Sequence, residues 1–375
     1  MRQALLRLVD MAATLRVSTL QPQAISSMAN ALARADLAHA PLLARLGSAV
    51  LATPPAAWDM QALSLLANAL VRCRYSDPGV MASIDQAVCA QPRRRLSSQG
   101  LALVANAMTK SEAAAAYSGS DLLWEHLARA ALLLPAGRWS PQALALLLNA
   151  LVSKRSALLS PRPSSHAPAW SGGAPGEGSG GEGAGAAVGA VDERAAQGAG
   201  LAGVEGAVEE AMGHVMGLLA TPAVGAWKAQ EVAMVLNALA RGRHPAPPAV
   251  LEYLAGAILA QEAGMSALTV ASIYNALARL PAVRLALPPH TFLALLTKLR
   301  ESALAIPASA LPAGEGAQSL ANIANALVRL KRKDASLMHH LSTLALHLPP
   351  AAFSAQVPPA SSWPSRIPAR LGAPG

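Results

Sequence analysis

Two kinds of side chain recur along the sequence at a spacing that could serve chemistry. An asparagine amide both donates and accepts hydrogen bonds, so it can pair with the edge of a nucleobase. In six of seven cases a lysine or arginine follows the asparagine by four positions, and such a cation can neutralise a phosphate group. The candidate binding residues are Asn30, Arg34, Asn68, Arg72, Asn106, Lys110, Asn149, Asn237, Arg241, Asn275, Arg279, Asn325 and Arg329.

These asparagines mark an internal repeat. Each one opens an Asn-Ala-Leu or Asn-Ala-Met triplet, and successive asparagines are separated by 38, 38, 43, 88, 38 and 50 residues. Alanine and leucine dominate the repeats, and both residues favour helix. Repeats of this length with helical composition predict a solenoid of stacked helical pairs. We therefore expect an all-α fold, an α-solenoid of about seven helical-hairpin repeats with a period of 38 residues.

The asparagine lies on the first helix of each predicted pair, helix A, where side chains advance by about 100° per residue. Numbered from the asparagine, positions −5, −2 and +2 are large and apolar, as in Leu63, Leu66 and Leu70. They predict a core stripe that faces the second helix, helix B. Positions −4 and +1 are always Ala or Ser, which lets adjacent A helices pack closely. The opposite side collects positions −7, 0 and +4, and position −7 is Gln in six of seven repeats.

The residues at −7, 0 and +4 could each have a structural role instead of a role in binding. The glutamine lies in the first turn of helix A, where it can complete a capping box. The asparagine can hydrogen-bond from one helix to the next, and the basic residue near the helix C-terminus can favour the macrodipole. The dipole, however, does not require a cation in six of seven repeats on the face that carries asparagine. A row of cations at repeat spacing is what a phosphodiester backbone would need.

Helix A opens with a recognisable start signal. In one copy Ser140 is a natural N-cap, Pro141 fits the first helical position, and Trp139 can form a hydrophobic staple. A large apolar residue recurs three positions before the glutamine and is expected to pack in the core rather than stack on a base. These residues are Leu20, Trp58, Leu96, Trp139 and Trp227.

Composition divides the chain into four segments. Residues 1–159 and 201–349 carry the two parts of the repeat array, while 160–200 are rich in Gly, Pro and Ser and are predicted to form a disordered insert. Residues 350–375 begin like an eighth repeat, but Pro358 and Pro359 fall where a core stripe should start, so an irregular tail is expected. The first 18 residues align with helix B of a preceding repeat, although their basic, amphipathic character would also suit a transit peptide.

Composition and charge limit the kinds of function. The net charge of +9 and a pI near 10.1 favour an anionic partner. With only two cysteines there is no disulfide framework or thiolate metal site, and no uninterrupted apolar stretch is long enough to span a membrane. The sequence contains no phosphate-binding loop of the Walker type, no kinase signature and no clustered metal ligands. We therefore expect a binding protein without cofactor or metal, not an enzyme.

The repeat itself resembles a known family. The segments SPQALALLLNALVSKR (140–155), DMQALSLLANALVRCR (59–74) and GAQSLANIANALVRLK (316–331) share one pattern. This pattern resembles the octotricopeptide repeat family and is similar to the leucine-rich region of FAST-kinase-like proteins. The resemblance implies a helical-repeat protein of the chloroplast or mitochondrion that binds single-stranded RNA, with other proteins of a ribonucleoprotein complex as further partners. It implies a role in transcript stability, processing, splicing or translation. The alternative is a protein-binding α-solenoid scaffold without a nucleic-acid ligand.

Overall fold

A computed structural model of the chain describes residues 2–75, 77–110, 117–160, 187–242, 246–262, 264–280 and 286–354. Within these ranges the regular structure consists of sixteen α-helices and short 3₁₀ turns, and no residue is in a strand. The prediction of an all-α fold is confirmed.

The helices alternate between the two positions of the repeat. Helices A are α2 (Pro22–Arg34), α4 (Met60–Arg72), α6 (Ser98–Lys110), α8 (Pro141–Leu159), α10 (Ala229–Gly242), α12 (Ala267–Arg279) and α14 (Ala313–Arg329). Helices B are α1 (Arg2–Ala13), α3 (Ala40–Ala52), α5 (Pro78–Cys89), α7 (Asp121–Leu132), α9 (Ala187–Leu218), α11 (Pro248–Leu259), α13 (Pro289–Leu304) and α15 (Ala335–Leu346). A short helix, α16 (Ala351–Ser354), follows. All seven repeat asparagines lie on helices A.

The chain divides into two compact units. In the first, Met1–Ala257, helices α2, α4, α6, α8 and α10 each pack against the next, and so do helices α1, α3, α5, α7 and α9. In the second, Ile258–Gly375, helix α12 packs against α14, while α13 packs against both α12 and α15. Within each unit, helices of the same kind stack side by side, which is the packing of an α-solenoid.

The predicted helix faces are observed in the packing of helix α4. The core stripe of Leu63, Leu66 and Leu70 is fully buried, and the flanking Ser64 and Ala69 are 4% and 0% exposed. Small residues at both flanks allow α4 to contact α2 on one side and α6 on the other. The 3.6-residue period therefore assigns each side of helix A to a distinct role.

Helices A begin as their sequences predict. The side chain of Asp59 accepts a hydrogen bond from the backbone N–H of Ala62 at 2.7 Å, and Ser140 caps Ala143 in the same way at 3.2 Å. A 3₁₀ turn precedes most helices A, and the large apolar residue that follows the turn packs inward. Trp58, Leu96, Trp139 and Trp227 are all between 2% and 4% exposed, and Leu20 is half-buried. The prediction that these residues pack in the core is confirmed.

Three helices A are followed, two positions after their last residue, by a residue in the left-handed conformation. Asp36, Arg74 and Lys331 have φ values of 50°, 56° and 54°. At the end of α4, the backbone N–H of Tyr75 donates to the carbonyl of Leu70 at 2.9 Å, which is the 6→1 hydrogen bond of a Schellman motif. Glycine is the usual residue at this position, so the non-glycine side chains cost conformational energy.

Two segment boundaries differ from the sequence prediction. Helix α9 begins at Ala187, so residues 187–200 are helical and the predicted insert of 160–200 extends too far at its C-terminal end. Although glycine is frequent there, the segment is also rich in alanine and other helix formers, which favour helix. Residues 351–354 of the predicted irregular tail form α16, which contacts α14. Residues 161–186 and 355–375 lie outside the described residues.

Candidate functional site

Positions −7, 0 and +4 of helices A lie on the side away from the core stripe, and we call these three rows the polar rows. All the glutamines at −7 are exposed: Gln23, Gln61, Gln99, Gln142, Gln230 and Gln318. All the cations at +4 are exposed as well: Arg34, Arg72, Lys110, Arg241, Arg279 and Arg329. The asparagines are half-buried, except that Asn106 is buried and Asn325 is exposed. The polar rows therefore present amides and cations to solvent, although the set is incomplete where Asn106 is buried, Ser153 replaces the cation and Leu268 replaces the glutamine.

One pair of polar side chains joins neighbouring repeats directly. The guanidinium Nη2 of Arg241, on α10, donates a hydrogen bond to Oδ1 of Asn149, on α8. The +4 row of one repeat therefore contacts the 0 row of the preceding repeat. At this step the asparagine ties one helix to the next, which is the structural alternative that the sequence left open.

No such bond joins the polar rows of α6 and α8 in the described residues. Position +4 of α8 is Ser153, whose hydroxyl donates back to the carbonyl of Asn149 on its own helix at 2.9 Å. Asn106, on α6, is 5% exposed, and its Oδ1 is buried without a hydrogen-bond partner in the described part of the chain. At the junction of α6 and α8, Ser153 therefore replaces the cation at +4, and the buried Oδ1 of Asn106 has no donor among the described residues.

Some cations of the described residues are paired with carboxylates, and five of the six cations at +4 are not. Lys154 lies 3.0 Å from the carboxylate of Asp121, and Arg300 lies 2.6 Å from that of Asp334. By contrast, no ion pair or side-chain hydrogen bond to a described residue involves Arg34, Arg72 or Lys110 in the first unit. The same holds for Arg279 and Arg329 in the second unit. Their positive charge is therefore not neutralised by the carboxylates that the structure describes.

Two concave surfaces lie where α6 and α8 meet. A pocket of about 170 Å³ opens between their first turns, lined by Gln99, Gln142, Leu103 and Leu146 among others. Beside it, a cleft of about 470 Å³ lies between the turns that precede the two helices and is lined by Arg94, Arg95 and Arg138. These three arginines were not among the predicted site residues, although the run Pro-Arg-Arg-Arg at 92–95 was a visible signal.

The clustered ionisable groups elsewhere have a structural role. The buried carboxylate of Asp85 accepts hydrogen bonds from Tyr117 Oη at 2.5 Å, from the backbone N–H of Ser120 at 2.7 Å and from Ser120 Oγ at 3.0 Å. These bonds hold the start of α7 against α5. Burial, reinforced by Asp85, raises the pKa of Cys89 to about 12, so this thiol stays protonated at neutral pH.

The residues that the structure describes contain neither a metal-binding cluster nor a membrane-spanning helix. No group of three or more His, Cys, Asp or Glu side chains there could hold a metal ion. In the same residues, no helix combines the length and apolar character that crossing a bilayer requires.

Comparison with known proteins adds no family. A scan against protein-family models returns no match, and a search of curated proteins returns none either. The resemblance to octotricopeptide repeats therefore rests on the repeat pattern alone, and a function has to be inferred from the polar rows.

Proposed function

We propose that this chain is an RNA-binding protein that holds single-stranded RNA along the polar rows of its A helices. The observation that carries the proposal is the set of exposed, unpaired cations on successive helices, Arg34 on α2, Arg72 on α4 and Lys110 on α6. None of the three has an ion pair with a described carboxylate, whereas Lys154 and Arg300 do. A phosphodiester strand supplies the negative charge, one phosphate after another, that such a row would bind.

The asparagine row is suited to contact bases. Proteins read RNA sequence mainly on single strands, whose unstacked bases expose their hydrogen-bonding edges. The side chains of Asn30 and Asn68 make no hydrogen bond with a described residue, so both amides have donors and acceptors to offer. Asn149 is already bonded to Arg241, and we assign it to the stacking of repeats rather than to a base.

The cellular role follows from the resemblance to octotricopeptide repeats. We place the protein in the chloroplast or mitochondrion, where it would act on transcript stability, processing, splicing or translation as a binding module. Other proteins of a ribonucleoprotein complex are the further partners of this proposal.

The test is an equilibrium binding measurement over a range of salt concentrations. Fluorescence anisotropy of a labelled single-stranded RNA should show binding that weakens steeply as salt increases, by about 0.7 in log K per decade for each phosphate neutralised. Duplex RNA of the same sequence should bind more weakly, since its bases are paired. Absence of salt-dependent binding to any single-stranded RNA would contradict the proposal and favour the protein-binding scaffold.

A further inference from the structure

We propose that the junction between α6 and α8 holds one nucleotide of the bound strand, with its base in the pocket and its phosphate in the arginine cleft. This inference rests on the proposed function and assigns a particular nucleotide position to it. Both surfaces lie in the first unit and were described above.

The residue before the repeat glutamine is smaller at this junction than at the junction of α4 and α6. At the junction of α4 and α6, Met60 lies against α6, with its Cγ 3.0 Å from where a Cβ on Gly100 would be. The residue of α6 at the same repeat position as Met60 is Ser98, whose hydroxyl donates to the carbonyl of Arg138 at 2.6 Å. The short side chain of Ser98 is bonded to the turn and does not line the pocket between the first turns of α6 and α8.

The pocket has the chemistry of a base-binding site. Leu103 and Leu146 are half-buried and supply apolar walls, as small-molecule sites require. Gln99 and Gln142 are exposed at its edge, and their side chains make no hydrogen bond with any residue that the structure describes. Each amide offers one acceptor and two donors, which is the set needed to pair with the edge of a planar base.

The cleft has the chemistry of a phosphate site. Arg94, Arg95 and Arg138 are exposed, and no carboxylate lines the cleft with them. Guanidinium groups bind phosphate oxygens with paired hydrogen bonds as well as charge. The corresponding turns at 55–57 and 222–224 carry no basic residue, so the cluster belongs to this junction and is not a feature of every repeat.

The two surfaces are lined by residues that neighbour one another along the chain. Ser98 lines the cleft while its neighbour Gln99 lines the pocket, and Arg138 lines the cleft while Ser140 lines the pocket. This is also the step at which Ser153 stands where other repeats carry a cation. The arginine cleft lies at the N-terminal ends of α6 and α8, at the opposite end of helix A from position +4.

The experiment measures binding of each of the four nucleoside monophosphates to the full chain by saturation-transfer NMR at low salt. Inorganic phosphate is the competitor. At least one monophosphate should bind, and saturation should be transferred to the protons of its base. Inorganic phosphate should displace that monophosphate only weakly. The variant R94A/R95A/R138A should lose binding of every monophosphate, and R94Q/R95Q/R138Q, which keeps longer side chains, should do the same. Circular dichroism should show unchanged helix content, since all three positions are exposed.

A second variant pair tests the base pocket against its own control. Q99A/Q142A should reduce discrimination among homopolymeric RNA 12-mers by at least about fivefold, the loss expected when one base-edge pair is removed. Q3A/Q86A removes two exposed glutamines of helices B, outside the polar rows, and should retain the parental discrimination.

The possible failures separate this inference from the proposed function. If the chain binds RNA but none of the monophosphates, and Q99A/Q142A discriminates as the parent does, the inference is wrong while RNA binding stands. If inorganic phosphate binds as tightly as the monophosphates, the cleft is a simple anion site and the base pocket is refuted. If monophosphates bind at the junction but no single-stranded RNA binds, the proposed function fails, while the nucleotide site itself is supported.

Discussion

Removing three unpaired cations of the +4 row in the first unit should change the salt dependence of RNA binding by a calculable amount. The variant R34A/R72A/K110A deletes charges that have no carboxylate partner among the described residues and that lie on consecutive A helices. If each cation neutralises one phosphate, the slope of log K against log salt should become shallower by about 2.1, which is three times about 0.7 for single-stranded RNA. Between 50 and 200 mM salt, the parent should therefore lose about 20-fold more affinity than the variant.

The assay is fluorescence anisotropy with one RNA at five or more salt concentrations, with circular dichroism to verify the fold. The control variant R7A/R16A/K333A removes the same net charge from exposed positions outside the A helices, and none of the three has an ion pair with a described residue. A row that binds phosphate predicts a shallower slope for the first variant and a nearly parental slope for the control. Equal slopes for the two variants would mean that only net charge matters, and a parental slope for R34A/R72A/K110A would refute phosphate binding by this row.

Three predictions concern the fold that positions the polar rows. Replacing Asn149 and Arg241 with Ala, singly and together, should reveal a coupling of about 1 kcal/mol in urea unfolding, because the two side chains share a hydrogen bond between repeats, and additive effects would contradict that bond. Burial, together with nearby Arg93, lowers the pKa of His126 below its usual 6.5. As the pH falls below 6.5, His126 therefore gains a proton in the unfolded chain before it does so in the folded chain. The free energy of unfolding should decrease over that range. Parent and H126Q should therefore differ in the loss of Tm between pH 8 and pH 5, with a smaller loss for the variant, and identical losses would exclude this group as the cause. R74G should stabilise the chain by about 1 kcal/mol, since glycine tolerates a φ of 56°, whereas R74A should give no such gain in urea unfolding.

The parts of the fold that follow from local periodicity were predictable from the sequence. The buried stripe of Leu63, Leu66 and Leu70 and the exposed rows at −7 and +4 are consequences of 3.6 residues per turn within a single helix. Buried Trp139 and the N-cap at Ser140 likewise depend on residues within one short segment. Such features need no knowledge of which helix lies beside which.

The details of the candidate site depend on contacts between segments far apart in the sequence. The bond between Arg241 and Asn149 joins residues 92 positions apart, and the difference between Ser98 and Met60 matters only once helix neighbours are known. The arginine cleft forms because the turns at 93–95 and 136–138 come together. The start of α9 at Ala187 was missed because abundant glycine suggested a linker, although alanine-rich sequence can still form helix.

Photo-crosslinking tests the central claim, RNA binding along the polar rows, most directly. Single-stranded RNA containing 4-thiouridine would be irradiated with the full chain, and the crosslinked residues would be located by mass spectrometry. RNA held on the polar rows predicts crosslinks within 22–34, 60–72 and 98–110, at or beside positions −7, 0 and +4, and their loss at high salt. Crosslinks confined to helices B, or no crosslink above that of the urea-unfolded chain, would contradict the account.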